Sequence, residues 1–192
     1  MALEGGWRTR GKCHVLGDNV PHDGGVIRFD LVTARVQDPA QLIPHLFDEI
    51  DPTLKDKVKP GDFIVAGHNF FCGKAHNQGM IAMKALGLRV LCESMPFRSF
   101  RAATGVALPC LIHCEGITKL VADGDEIEAD FETGIVRNLT TKGSAQYPAI
   151  PSAIKSIVEE GGMVGMLAAW LKDHPELGRP GVSRLSPTAL PS

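Results

Sequence analysis

Residues 62–91, DFIVAGHNFFCGKAHNQGMIAMKALGLRVL, constrain the fold more than any other part of the chain. A Lys-Pro-Gly turn signal at 59–61 precedes them. Phe63, Ile64, Val65 and Ala66 then form an unbroken apolar run of strand length, the pattern of a strand covered on both faces. Residues 67–73 interrupt it with two glycines, two aromatics, Asn69 and Cys72. From Ala75 the spacing turns helical, through Met80, Ile81, Met83, Ala85 and Leu86. Gly87 stands where a glycine closes a helix, and Leu88, Val90 and Leu91 begin a second strand. The pattern predicts a strand–loop–helix–strand unit whose loop carries Cys72, Gly73, Lys74, Ala75 and His76 to a helix N-terminus.

Such a terminus offers unpaired N–H groups and a partial positive charge, a setting for carboxylate or phosphate. Gly73 lets the backbone approach a ligand, beside a thiol, an ammonium and an imidazole. The plainer alternative is a tight turn with exposed polar residues.

The 192 residues suit one domain, and 44% hydrophobic content suffices for a core. A net charge of −2 with mixed signs gives no basic field for nucleic acid. No apolar run reaches the ~20 residues of a membrane span, and the N-terminus has no signal-peptide core, so the expected location is cytoplasmic. The five cysteines show no disulfide framework and no C-x-x-C pair. Cys110-Leu-Ile-His-Cys114 has the look of a sparse metal cluster, but its apolar centre fits a buried strand better, and no metal is expected in this chain.

In chain order, residues 1–11 read as a flexible lead-in, 12–172 as one domain and 173–192 as a loose Pro-, Gly- and Ser-rich tail. Residues 12–16 suit a short strand that ends in the turn-rich loop 17–25, which holds Asp18, Asp23 and His22. Residues 26–36 have room for another strand, and 39–50 show helical spacing that contains Pro44. Arg98 and Arg101 fall one turn apart on a short helix, as a carboxylate clamp or a solvated face. Residues 108–113 form an apolar strand. The alternating runs 126–131 and 135–139, joined through Thr133-Gly134, predict a hairpin. A helix capped by Ser152 and ended by Gly161-Gly162 precedes a last apolar helix over 163–171.

The order of these pieces resembles the small subunit, or swivel domain, of the aconitase and isopropylmalate-isomerase superfamily, over roughly residues 12–167. Gly17-Asp18-Asn19-Val20 followed by Asp23 is similar to that family's GDN-x-x-x-D loop. Val65-Ala66-Gly67-x-Asn69-Phe70-x-Cys72-Gly73 is similar to its V-A-G-x-N-F-G-C-G segment. Ser94, Arg101, Leu108 and Pro109 keep the spacing of S-F-A-R-I-F-x-R-N…G-L-P, and Gly124-Asp125, Asp130, Thr133-Gly134 and Gly161-Gly162 follow in family order. The resemblance implies an α/β fold, a swivelling β/β/α three-layer domain. It also implies a separate large subunit carrying a [4Fe–4S] cluster, and a hydro-lyase reaction on a small hydroxy-di- or tricarboxylate.

The family continues G-C-G-S-S-R-E-H, with serine as base and arginine on the substrate. Here Lys74 holds the serine position and His76 the arginine position, while Arg101-Ala102 replaces an arginine–asparagine pair. The leading expectation is therefore a hydro-lyase small subunit with an altered substrate, in which Lys74 and His76 handle protons or substrate charge. Gly73, Ala75, Asn69, Cys72 and Arg101 would bind substrate, and Asp18 and Asp23 would support the loop. Two alternatives stay open: a non-catalytic carboxylate-binding or regulatory module, and a stand-alone thiol enzyme with Cys72 as nucleophile and His76 as base.

Overall fold

A computed structural model describes residues 6–74 and 76–177. The strands are Arg8–Leu16 (β1), Phe63–Ala66 (β2), Arg89–Cys92 (β3), Cys110–Leu111 (β4), Glu126–Asp130 (β5), Ile135–Asn138 (β6) and Ser144–Gln146 (β7). They form a single sheet in the order β4-β3-β2-β1-β5-β6-β7. From β1 through β4 the pairing is parallel, with Cys13 opposite Phe63, Phe63 opposite Arg89 and Val90 opposite Cys110. From β1 through β7 on the other side it is antiparallel.

Alternation along the strands builds two cores. Ile64 and Ala66 of β2 point to one face of the sheet, Phe63 and Val65 to the other, and all four are fully buried. On the first face lie the crossover helices Phe29–Thr33 (α1), Pro39–Leu42 (α2), Leu54–Lys57 (α3), Gln78–Ala85 (α4) and Phe97–Gly105 (α5), packed through Val32, Leu42, Leu54, Met80, Met83 and Ala103. Three successive parallel crossovers advancing in one direction put all their helices on one side, as a fixed hand requires. On the second face Phe63, Val65 and Leu91 meet Ile127, Ala129 and Val136 of the antiparallel half, which curls over them. The helix Ile117–Leu120 (α6) and Val158 of Ser152–Glu159 (α7) close that core, and Gly162–Asp173 (α8) follows. The expected α/β, β/β/α three-layer arrangement is present. Each large apolar side chain removed from water here contributes about 1.5–3 kcal/mol.

Several expectations change. β1 begins at Arg8, inside the stretch read as lead-in, because Arg8 and Arg10 lie beside Glu128 on β5, and backbone pairing runs from Arg8 opposite Asp130 to Lys12 opposite Glu126. Residues 26–36 contain the helix α1 (Phe29–Thr33) and no strand, and 39–50 break at Leu42 into a 3-10 turn over Ile43–His45 that accommodates Pro44. The N-cap of α7 is Pro151, so Ser152 is the first helical residue and not the cap. The short strand β7, too brief to show a pattern, was not anticipated. α8 reaches Asp173 and a 3-10 turn covers Pro175–Leu177, so 173–177 are not a loose tail; the rest of the expected tail, 178–192, lies outside the described residues.

Glu128 shows how charge fixes the β1–β5 pairing. Its carboxylate is almost buried and accepts from Arg8 Nη2 and Arg10 Nε at 2.8 Å and from Arg137 Nη1 at 2.9 Å. These guanidiniums, Arg8 first, hold its pKa down at about 2 against an ordinary 4.5. A depressed carboxyl stabilises the fold fully above its ordinary value and loses that contribution as pH falls toward the folded one. Thermal melts of the wild-type chain are expected to lose stability between about pH 4.5 and pH 2 more steeply than those of Glu128→Gln. At neutral pH the variant is expected to be less stable by about 1–2 kcal/mol, the guanidiniums being largely solvated.

Candidate functional site

The parallel strands all deliver their carboxyl ends to one edge of the sheet, where ligands of open α/β folds bind. β1 runs into the loop 17–28, β2 into 67–77 and β3 into 93–96. Because β1 and β2 are neighbours in register, the first two loops lie side by side. The Asp18 carboxylate sits where a Cβ on Gly67 would be, 1.9 Å from its Oδ1, and accepts from the His68 N–H at 2.7 Å. Asn69 donates from its side chain to Asn19 Oδ1 at 2.8 Å and from its backbone to Ser94 Oγ at 2.8 Å. The Cys72 thiol donates to the Asn19 carbonyl at 3.4 Å, and the Cys72 and His22 backbones pair across the loops.

Phe71 holds the middle of the second loop in a strained conformation. Its φ is +59°, in the left-handed region that a bulky residue seldom adopts. Packing enforces it: the fully buried ring stacks on Phe70 at 4.1 Å between centroids and tilts against His22 at 5.7 Å, and Ser99 Oγ donates to the Phe71 carbonyl at 2.7 Å.

Beyond Phe71 the loop opens onto a cleft of about 630 Å³ lined by Gly73, Lys74, Phe97, Arg98, Arg101 and Ala102. Lys74, Arg98 and Arg101 form no ion pair with any described residue, so three cations share one cleft without a counter-charge from the described residues. Phe97 adds an apolar ring that is 75% exposed.

The His76 ring pairs with Asp23. Its Nδ1 lies 2.6 Å from Asp23 Oδ2, while Asp23 Oδ1 is 2.6 Å from Nδ1 of the fully buried His22. The Cys72 thiol and the His76 Nδ1 are thus each engaged by the loop 17–28, at Asn19 and at Asp23. The sequence also set Gly73 to His76 at the helix N-terminus, but α4 starts at Gln78 with Asn77 as N-cap, and an early N–H of that helix, Gly79, is already engaged by His22 Nε2 at 3.2 Å. One N–H of that helix start is thus taken up by a buried imidazole; Ala75 lies outside the described residues.

The structure gathers Gly73, Lys74 and Arg101 on the cleft, pairs His76 with Asp23 outside its lining, and leaves Asp18, Asn69 and Cys72 as loop braces. Sequence reasoning undervalued Arg98, Phe97 and His22; the first departs from family spacing, and nothing in a turn-rich loop signals that His22 is buried. Among the described residues the one group with metal-ligand spacing is His68, Glu93 and Glu115, with donor atoms within 4.8 Å, and Glu93 is already held by Thr118 Oγ1 at 2.6 Å and His68 Nε2 at 3.1 Å. No three cysteines converge among them. Cys110 and Cys114 pack into opposite cores, and burial pushes the thiols of Cys13 and Cys114 up to about 12, so these sulfurs do not suit an iron–sulfur cluster.

No protein-family model matches the chain. It is 34% identical over 164 residues to the 3-isopropylmalate dehydratase small subunit of Caldicellulosiruptor saccharolyticus, covering 85% of this chain and 92% of that protein. It is 36% identical over 159 residues to the isopropylmalate/citramalate isomerase small subunit of Methanocaldococcus jannaschii, covering 82% and 92%. The crystal structure of 3-isopropylmalate dehydratase from the same archaeon superposes with a TM-score of 0.78 at 29% identity, over 89% of this chain and 99% of that one. With this likeness over more than four fifths of the chain, it belongs to the small subunits of the 3-isopropylmalate dehydratases, hydro-lyases of the aconitase superfamily.

Proposed function

We propose that the chain completes the active site of a two-subunit hydro-lyase that removes and adds water on a hydroxy-dicarboxylate of the isopropylmalate kind. The observation that carries this reading is the cleft with three cations, Lys74, Arg98 and Arg101, and no acidic partner among the described residues. A dicarboxylate supplies the missing charge, and Phe97 offers an apolar wall to its hydrocarbon branch. The relatives are named for isopropylmalate and, in one case, also citramalate, so neither the altered substrate nor the non-catalytic module draws support from them.

In this reading a large subunit covers the cleft and holds the [4Fe–4S] cluster, which supplies Lewis-acid assistance to departure of the substrate hydroxyl. The residues of this chain do the rest. The proton to be removed lies beside a carboxylate, and its loss places negative charge on that group. Lys74, Arg98 and Arg101 hold the carboxylates and stabilise the added charge in a site closed to water. His76 takes the proton: an ionised Asp23 only accepts, so the Nδ1 of His76 donates to it and Nε2 keeps its lone pair.

These roles separate kinetically in the complex with the large subunit. Lys74→Met is expected to raise KM about 10–100-fold, the scale of one charged hydrogen bond, with a smaller effect on kcat. His76→Asn is expected to lower kcat about 10²–10⁴-fold at nearly constant KM. Unchanged turnover in His76→Asn would remove it as the base, and a complex inactive toward hydroxy-dicarboxylates would overturn the reading as a whole.

A further inference from the structure

His22 has no role in the family resemblance, yet it is a fully enclosed polar group near the site, with no exposed surface. Both of its nitrogens are committed. The Gly79 N–H donates to Nε2, so that nitrogen carries no proton, and the ring's single proton sits on Nδ1, facing Asp23 Oδ1 at 2.6 Å. Burial lowers the His22 pKa and keeps the ring neutral. The contact with α4 needs a glycine at 79, because a Cβ there would stand 3.2 Å from His22 Nε2 and 2.9 Å from Val26 Cγ1. The start of α4 thereby fixes the His22 tautomer, and the tautomer fixes which Asp23 oxygen remains for His76.

We propose that His22 is a positioning residue: a buried Gly79–His22–Asp23 chain holds His76 with Nδ1 turned inward and Nε2 as its open base. The proposal rests on His76 as the proton-transferring group of the reading above. His22 donates to Oδ1 and His76 to Oδ2, so Asp23 is gripped at both oxygens and its carboxyl plane cannot rotate. The His76 side chain is more than a third exposed, and its ring has Asp23 as its one hydrogen-bond partner among the described residues. Without the His22 grip, the exposed ring is free to turn or to move its proton to Nε2, where it no longer serves as a base. Hydrogen-bonded groups behind a reacting side chain typically change activity by about 10–100-fold.

Two near-isosteric variants split the chain at different links. His22→Asn keeps an N–H near the Nδ1 position, toward Asp23, and drops the acceptor for Gly79. His22→Gln keeps a polar atom near the Nε2 position, toward Gly79, and drops the donor to Asp23. Long-range ¹H–¹⁵N spectra of the full chain alone report the His76 tautomer. The expected result is predominantly Nδ1–H in wild type and His22→Asn, with a shift toward Nε2–H in His22→Gln. In the complex, His22→Gln is expected to lose about tenfold or more in kcat with KM within about twofold, and His22→Asn to stay within about threefold. Equal tautomer populations in wild type and folded His22→Gln would overturn the proposal, as would a larger kcat loss in His22→Asn than in His22→Gln, which a purely structural role predicts. The spectra need no turnover, so an inactive wild-type complex would count against the hydro-lyase reading and leave the tautomer result to judge the relay.

Discussion

The site depends on one backbone approach that glycine alone permits. Gly67 leaves a space that the Asp18 carboxylate fills, and the next residue donates its N–H to that carboxylate. This ties the loop after β1 to the loop after β2 at the point where both leave the sheet. Every later contact across the two loops, from Asn69 on Asn19 to His76 on Asp23, assumes that this tie is made. A carboxylate accepting a backbone N–H at 2.7 Å is a strong, directional anchor, and the parallel register of β1 with β2 brings it within reach.

Much of this was legible in the sequence because strong local signals agreed with one another. The apolar run at 63–66 had nowhere to go but a doubly covered strand, and Gly87 ended the helix behind it with a left-handed φ of +76°. The hairpin at 126–138 announced itself by alternation. What stayed hidden was set by contacts distant in the chain. The lead-in became strand because Glu128, 120 residues on, gathers Arg8, and the helix after the central loop started at Gln78 because His22 takes up the Gly79 N–H. Neither partner can be read from spacing, since each depends on which loop lies beside which.

The departures from the family pattern become intelligible in the same terms. The resemblance implies serine and arginine where Lys74 and His76 stand, and the histidine pairs with a carboxylate, Asp23, of the loop that carries the resemblance. Asp23 is thus an acceptor suited to an imidazole on one side, and His22 completes its other side. Arg98, which the motif does not require, adds positive charge to the same cleft.

The strained bend at Phe71 has a wider consequence. It is clamped by Phe70, His22 and Ser99, all on its supported side, while Gly73 and Lys74 lie past it at the cleft. The conformational penalty is borne by the anchor, so the tip can exchange one reactive side chain for another without renegotiating the scaffold. Such a division between a rigid mount and an interchangeable tip is what allows a lineage to try new acid–base chemistry while its architecture stands still.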